Sequence, residues 1–350
     1  MTVAPTPVRH TKWGLAVVLG IAGALVVALI VLAFVWPVAT AEPRNLPVAV
    51  AGPAAQVESL ESSLDEQTGG LFAFVDVEDR DAAVSAIEDR TAYGAIVLAT
   101  APEVLTASAA NISIAQQLNG LAAQLQAQLA AQVTAAGGDG SHVTVTVTDV
   151  VPLAENDPNG AGLAVASFPL VLGGMLGGIL VSLLVVGSWR RVAALVVYAV
   201  GAGLAVAGIL QGWFGILQGD FLVNSSALAL AMFATASIIV GLNAVIGRAG
   251  IGVGAVLTML VGNPISAATL PHQFLAGPWG DIGQFFVPGA ASTLIRDLSY
   301  FPDADASALW LTLAVWSAAG LLLTVVGHFR DQAPVALPES EFEQIPVAAV

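Results

Sequence analysis

Six stretches of this chain, 13–41, 158–189, 192–219, 221–247, 249–280 and 306–329, contain no Asp, Glu, Lys or Arg. A bilayer core of about 30 Å is crossed by about 20 apolar residues of helix, so each stretch holds one crossing and none comfortably holds two. A chain that is 57% hydrophobic and only 10% charged, with a mean hydropathy of +0.84, lies far from soluble averages of about 25% charged residues. The expectation is therefore an α-helical polytopic membrane protein with six spans. Their segments read 13–36, 163–189, 192–213, 225–247, 250–306 and 307–328, the fifth including further elements described below.

Charge placement orients these spans. With the N-terminus (1–12) in the cytoplasm, the inner segments contain Arg9, Lys12, Arg190, Arg191, Arg248 and Arg330, the bias that sets topology. Of 25 acidic residues, only Asp331, Glu339, Glu341 and Glu343 fall on the inner tail, 329–350. Trp13, Trp36, Trp189 and Trp213 mark span ends as interfacial anchors. The first run ends in Ala39-Thr40-Ala41, which resembles a signal-peptide cleavage site, but the apolar run is longer than the usual 7 to 15 residues; we read it as a retained anchor. The expected location is the cell membrane, with 37–162 outside.

Residues 37–162 read as a soluble α/β insertion between the first two spans. "LPVAVAG", "LFAFVD" and "YGAIVLA" have strand character, "EDRDAAVSAIEDR" has helical spacing, and "HVTVTVTDV" alternates with period 2, placing its threonines toward water. In the charge-free run from 104 to 138, Leu118, Leu121, Leu125 and Leu129 recur on one helix face. Two readings remain open: a helix packed on its own domain, or one that pairs with a partner. "DVEDRD" lacks the spacing and glycine of a calcium loop and reads as a solvated helix start.

Small residues at four-residue spacing, Gly173 with Gly177, Gly174 with Gly178 and Gly250 with Gly254, permit close helix approach. They suit packing within the chain or a dimer seam. No Asp, Glu, Lys or Arg falls inside any of the six charge-free runs, which argues against proton coupling and charged pore rings. There are no cysteines, the single lysine excludes a phosphate-binding loop, and neither a nucleophile elbow nor a paired-histidine metal site occurs. No catalytic residue, metal or cofactor is expected.

The fifth span is interrupted by "VGNPISAATLPHQF". Proline disfavours helix before it and removes a backbone donor, so Asn263-Pro264 should stop a helix only about 13 residues long. Irregular backbone at membrane depth needs protein or a water-filled cavity around it. We expect the chain beyond 263 to dip into the outer leaflet as a re-entrant element, with turns at Pro271, Pro278 and Pro288 and a short amphipathic helix over "AASTLIRDLSYF".

An N-terminal span, "LPVAVAG" after it, "EDRDAAVSAIEDRTAYGAIVLA", "VVPLAENDPNGAG" before the second span, and "GNPISA" followed by "FFVPGAASTLIRDLSYF" together resemble the membrane subunit of type-2 ABC exporters. The resemblance is to the branch that includes the phage-infection-protein-like (YhgE/Pip) membrane proteins. It implies a permease that forms a homo- or heterodimer, docks a cytosolic ATPase and exports hydrophobic or amphiphilic envelope compounds. Asn263 and Pro264 would then precede the re-entrant element, with Arg296 on the outer-facing helix. Trp189, Arg190, Arg191 and Arg248 would form the ATPase docking surface, their alternative role being orientation and contact with membrane lipid. The inner connection "GSWRR" is short where such permeases present a coupling helix, which favours the alternative of a non-transporting envelope scaffold or receptor. No residue constellation supports an enzyme or a nucleic-acid partner. The acidic tail, with three prolines, is expected to be disordered, with Phe342 and Ile345 a conceivable docking motif.

Overall fold

The computed structural model describes residues 12–329. Arg9, Arg330 and the acidic tail with Phe342 and Ile345 lie outside the described residues.

The insertion between the first two long helices is a five-stranded sheet with order β2-β1-β3-β4-β5. β1 (Leu46–Ala51) and β2 (Phe72–Val77) run parallel, as do β1 and β3 (Gly94–Val97); β3 pairs antiparallel with β4 (Glu103–Thr106), which pairs in parallel with β5 (Thr146–Asp149). β1 and β3 are almost wholly buried, the pattern of central parallel strands covered on both faces. The parallel crossovers are helical: α2 (Ala54–Thr68), α3 (Arg80–Glu88) and α4 (Ile112–Ala135). Side chains begin two of them, since Asp79 accepts from the Ala82 amide and Asn111 from those of Ser113 and Ile114. These contacts satisfy otherwise orphaned N–H groups.

The α4 leucines pack on their own sheet. Leu118, Leu121 and Leu125 are buried in the domain core and Leu129 is half-buried, so the first three are not available to a partner helix. The alternation read from sequence holds over 143–146, with valines half-buried and threonines exposed, and inverts at 147–148 in β5. β5 is a four-residue edge strand in which Val147 is 42% exposed while Thr148 is half-buried. The reason is local: Thr148 donates to Glu103 Oε1 at 2.5 Å, and Glu103 is held by both Arg80 Nε (2.6 Å) and Arg80 Nη2 (3.1 Å).

This cluster makes a pH prediction. The Arg80 and Thr148 hydrogen bonds hold the Glu103 carboxyl below its ordinary value, against the opposing effect of burial. A depressed folded-state value stabilises the domain fully above the unfolded value of about 4.3, and the contribution fades as pH falls through the folded value. Glu103→Gln should flatten that acid limb while leaving neutral-pH folding intact, measured by thermal melts of the full chain between pH 3 and 7.

Below the sheet lies a helical bundle. Five helices are long and apolar enough to cross a membrane: α1 (Trp13–Ala39), α5 (Ala161–Leu184), α6 (Ser188–Ala207, continued by a π-helical stretch to Trp213), α7 (Phe221–Ile246) and α11 (Ser307–His328). They mark a membrane protein. The remaining charge-free run gives a shorter piece, α8 (Arg248–Ala255), which widens into a π-helical stretch ending at Gly262. Its 15 residues rise about 22 Å at 1.5 Å each, short of a crossing. The six-span expectation is thus reduced to five long helices and one short one, ended by proline chemistry.

α7 is the axis of the bundle, flanked by α5, α6, α8, α10 (Val287–Tyr300) and α11. Contacts at glycine make this possible. A Cβ at Gly174 would lie 2.8 Å from Thr235 Cβ, and one at Gly178 would lie 2.9 Å from the Ala236 carbonyl oxygen. One at Gly173 would meet Met232 Cε at 3.4 Å, and one at Gly177 would collide with the Tyr198 ring. On α8, Gly250 abuts the α7 backbone at Leu242 and Gly254 faces Ile239. All six glycines are met from within the chain. α1 is the most exposed of the five, with Pro37 its single buried residue.

The two parts are joined. Phe274, Tyr300 and Phe301 from the bundle segments enter the hydrophobic core of the sheet domain, Phe301 with 1% of its surface exposed. The domain therefore rests on the end of the bundle where α1 finishes and α5 begins. There the buried Asp157 carboxylate accepts from the Ala161 and Gly162 amides at 2.9 and 2.8 Å, capping α5.

Candidate functional site: a chamber beneath the sheet domain

After Gly262 the chain turns at Asn263–Ser266 and passes Ala267, whose φ is +52°. It then forms a 3-10 turn at His272–Phe274 and the short α9 (Trp279–Gln284), and re-enters helix at Val287. Pro288 occupies the first turn of α10, where a missing N–H costs nothing; it starts a helix and does not mark a turn.

This segment, α10 and the underside of the sheet domain enclose a polar cavity of about 340 Å³. Its charged wall comes from α10 and from the end of α3. Arg90 Nε lies 3.3 Å from Asp297 Oδ1, and its guanidinium stands over the Phe301 ring at 4.7 Å. Both acid and base are largely buried, with side-chain exposures of 7% and 19%. Arg296 donates through Nη1 to the Ala110 carbonyl at 2.7 Å and through Nη2 to the Ala268 carbonyl at 3.3 Å. It thereby ties α10 to both the sheet domain and the turn after α8. The Tyr93 hydroxyl donates to Gln273 Oε1 at 3.2 Å; burial pushes its pKa up, which keeps it a donor. Thr293 donates to Gln284 Oε1 at 2.7 Å.

Arg90 and Ala267 are two of three non-glycine residues with positive φ among those described. An L-residue there costs about 1–2 kcal/mol and persists where the surroundings fix it. Arg90 follows α3 at the position glycine favours; its side chain reaches Asp297 from that conformation.

Two further cavities adjoin the polar one. One, about 40 Å³, lies between α5, α7 and α10 with Leu170, Leu228, Met232 and Ile295 in its wall, and it shares Ala268, Ser292 and Arg296 with the polar chamber. The other, about 290 Å³, lies between α1, α5 and the 263–275 segment, lined by Phe34, Val38, Phe168 and Leu275, and shares Ala267, Ala268 and Leu270.

The residues expected for the re-entrant element meet here. Pro271 and Arg296 line the polar cavity, Asn263, Pro288 and Arg296 the small apolar one, and Asn263 and Pro264 the third. Arg90, Tyr93, Gln273 and Asp297 were not legible as site residues. Arg90 ends a stretch that reads as helix surface and Asp297 lies in an amphipathic helix; no spacing relates positions from opposite halves of a chain.

The expected docking residues sit at the other end of the bundle. Trp189 is 73% exposed, and Arg190 and Arg248 are exposed. Arg191 differs: its Nε donates to the Val185 carbonyl at 2.8 Å and its Nη2 to the Ser182 carbonyl at 3.2 Å. It closes the end of α5, a common task for arginine at a helix C-terminus. No family model, curated protein or solved structure matches the chain.

Proposed function

We propose that the chain is the membrane permease subunit of an ABC-type exporter, moving a hydrophobic or amphiphilic envelope compound with energy from a separate ATPase. In this reading the sheet domain is extracytoplasmic and the N-terminus and tail are cytoplasmic. The charge distribution supports that orientation: among the described residues, the end of the bundle away from the sheet domain carries Lys12, Arg190, Arg191 and Arg248 and no acid, as the positive-inside rule asks.

The observation that carries the proposal is the path of the chain after α8. The Phe285 carbonyl accepts from Trp316 Nε1 at 2.7 Å, and Trp316 lies roughly 14 Å along α11 from its start at Ser307. In this reading Phe285 lies near half depth, and α10 climbs back from there to Tyr300 at the sheet domain. That path is the one expected of a re-entrant element, and in this reading the chamber beside it is the substrate's place. The permease acts as a homo- or heterodimer.

A second reading, a non-transporting envelope receptor or scaffold, is favoured by the far-end connections. Only residues 185–187 join α5 to α6, and Gly247 alone joins α7 to α8, so a coupling helix has no room between them.

Affinity purification of the tagged full chain from mild detergent, with mass spectrometry and an ATPase assay of the eluate, separates the two. The permease reading expects a stoichiometric ATPase whose hydrolysis falls severalfold in the Arg190→Ala, Arg248→Ala double variant, which spares the internal bonds of Arg191. Recovery of envelope proteins alone, without nucleotide hydrolysis, would leave the receptor.

A further inference from the structure

We propose that the polar chamber binds the anionic head group of a membrane amphiphile. Arg296 is its main contact and Arg90 and Gln273 supply further donors, while the apolar part leaves between α1 and α5 past Phe34 and Phe168.

The charge chemistry comes first. A guanidinium has five N–H groups and no acceptor. Two hydrogen bonds, to the carbonyls of Ala110 and Ala268, hold Arg296, leaving three N–H groups in the chamber wall. Among the described residues no carboxylate lies within ion-pair distance of it. Asp297 faces Arg90 instead, and even there Arg90 Nη1 is buried without an acceptor. Gln273 Oε1 is occupied by Tyr93, so its amide N–H groups remain to donate. The two other acids in the lining, Asp89 and Asp305, are exposed at the mouth, and Asp305 accepts from the Ser307 amide. The interior is thus rich in donors, with two guanidiniums sharing the one buried carboxylate of Asp297, which contacts Arg90 and acts on Arg296 only from beyond ion-pair distance. Partly desolvated arginine in a fixed position recognises phosphate or carboxylate oxygens in forked geometry.

The shape selects an amphiphile over a free anion. The chamber shares Ala267, Ala268 and Leu270 with the cavity whose other walls are the apolar flanks of α1 and α5. Those flanks belong to helices long enough to span a membrane. A molecule with its head on Arg296 would have its chain directed along surfaces that otherwise meet lipid, an arrangement with no use for inorganic phosphate.

The proposal deepens the permease reading by naming the charge class of its substrate, and it rests on that reading for the ligand's fate but not for its binding. The test needs no ATPase, so failure here leaves the ATPase result standing, and absence of an ATPase leaves a head-group site on a receptor. The full chain is placed in nanodiscs containing equal phosphatidylglycerol and phosphatidylcholine, and retained lipids are counted by native mass spectrometry. We expect phosphatidylglycerol to be retained about tenfold over phosphatidylcholine, because both offer a phosphate but the choline cation of the latter is repelled by Arg296 and Arg90, and Arg296→Gln to abolish the preference. Because Arg296 also ties segments together, Gln273→Glu serves as a second variant: it keeps an acceptor for Tyr93, puts a negative charge in the chamber, and should abolish the preference equally. Arg80→Gln, in the sheet domain and outside the chamber lining, should leave it unchanged. Equal retention of the two lipids, or a preference that survives both chamber variants, would overturn the proposal. Binding of glycerol phosphate as tight as that of phosphatidylglycerol would overturn the amphiphile assignment in favour of a free-anion site.

Discussion

Asp297→Ala should be among the most damaging single substitutions in the chain, lowering stability by about 3–5 kcal/mol, the range for removing one partner of a buried ion pair. The carboxylate faces Arg90 and belongs to α10, while Arg90 belongs to the sheet domain. Its loss leaves a buried guanidinium without its acid and removes the carboxylate that also acts on Arg296. Thermal unfolding of the detergent-solubilised protein reads the effect. A double-mutant cycle with Arg90→Ala tests its origin, because the second substitution should cost much less once the first is made. Additive losses would mean that the two side chains do not act as a pair, and that the hold of the sheet domain on α10 lies in Phe301 and Tyr300.

At Gly178 the expected damage comes from sterics. A leucine there must displace the α7 backbone at Ala236, whose Cα would lie 3.0 Å from the new Cβ, so α5 and α7 have to move apart. The cost lies at the upper end of the about 1–3 kcal/mol typical of overpacking, and the purified protein should lose its sharp elution in size-exclusion chromatography. Gly201→Ala on α6 is the contrast, since nothing lies within 4 Å of its Cβ position; that variant should melt and elute like the parent. Equal behaviour of the two variants would remove the close α5–α7 contact from the account.

The different fates of these two glycines separate what is local from what is not. The sequence alone determines the charge-free runs, the helices they form and the place where one fails. Burying a charge in hydrocarbon is costly, and proline cannot donate in a helix; both are properties of a few adjacent residues. The strand and helix alternation of the sheet domain is legible for the same reason, because period-2 and period-3.6 patterns are local. The short β4 and α2 escaped because four residues and a mostly polar helix carry little pattern. The alternation fails only at 147–148, because Glu103 draws Thr148 inward, a preference set by a neighbouring strand.

What only the tertiary structure decided is which residues meet. Nothing in the spacing of Gly174 and Gly178 says whether α7 or another molecule fills the gap, and nothing in "RRV" says that the second arginine turns back to close α5 while the first faces outward. The chamber is the strongest case. Arg90, Gln273 and Arg296 become neighbours because Phe274, Tyr300 and Phe301 are drawn into the core of the sheet domain. Apolar burial is non-directional and acts between any parts of the chain that can reach each other, so the polar groups carried along with it converge at a place that no local pattern specifies.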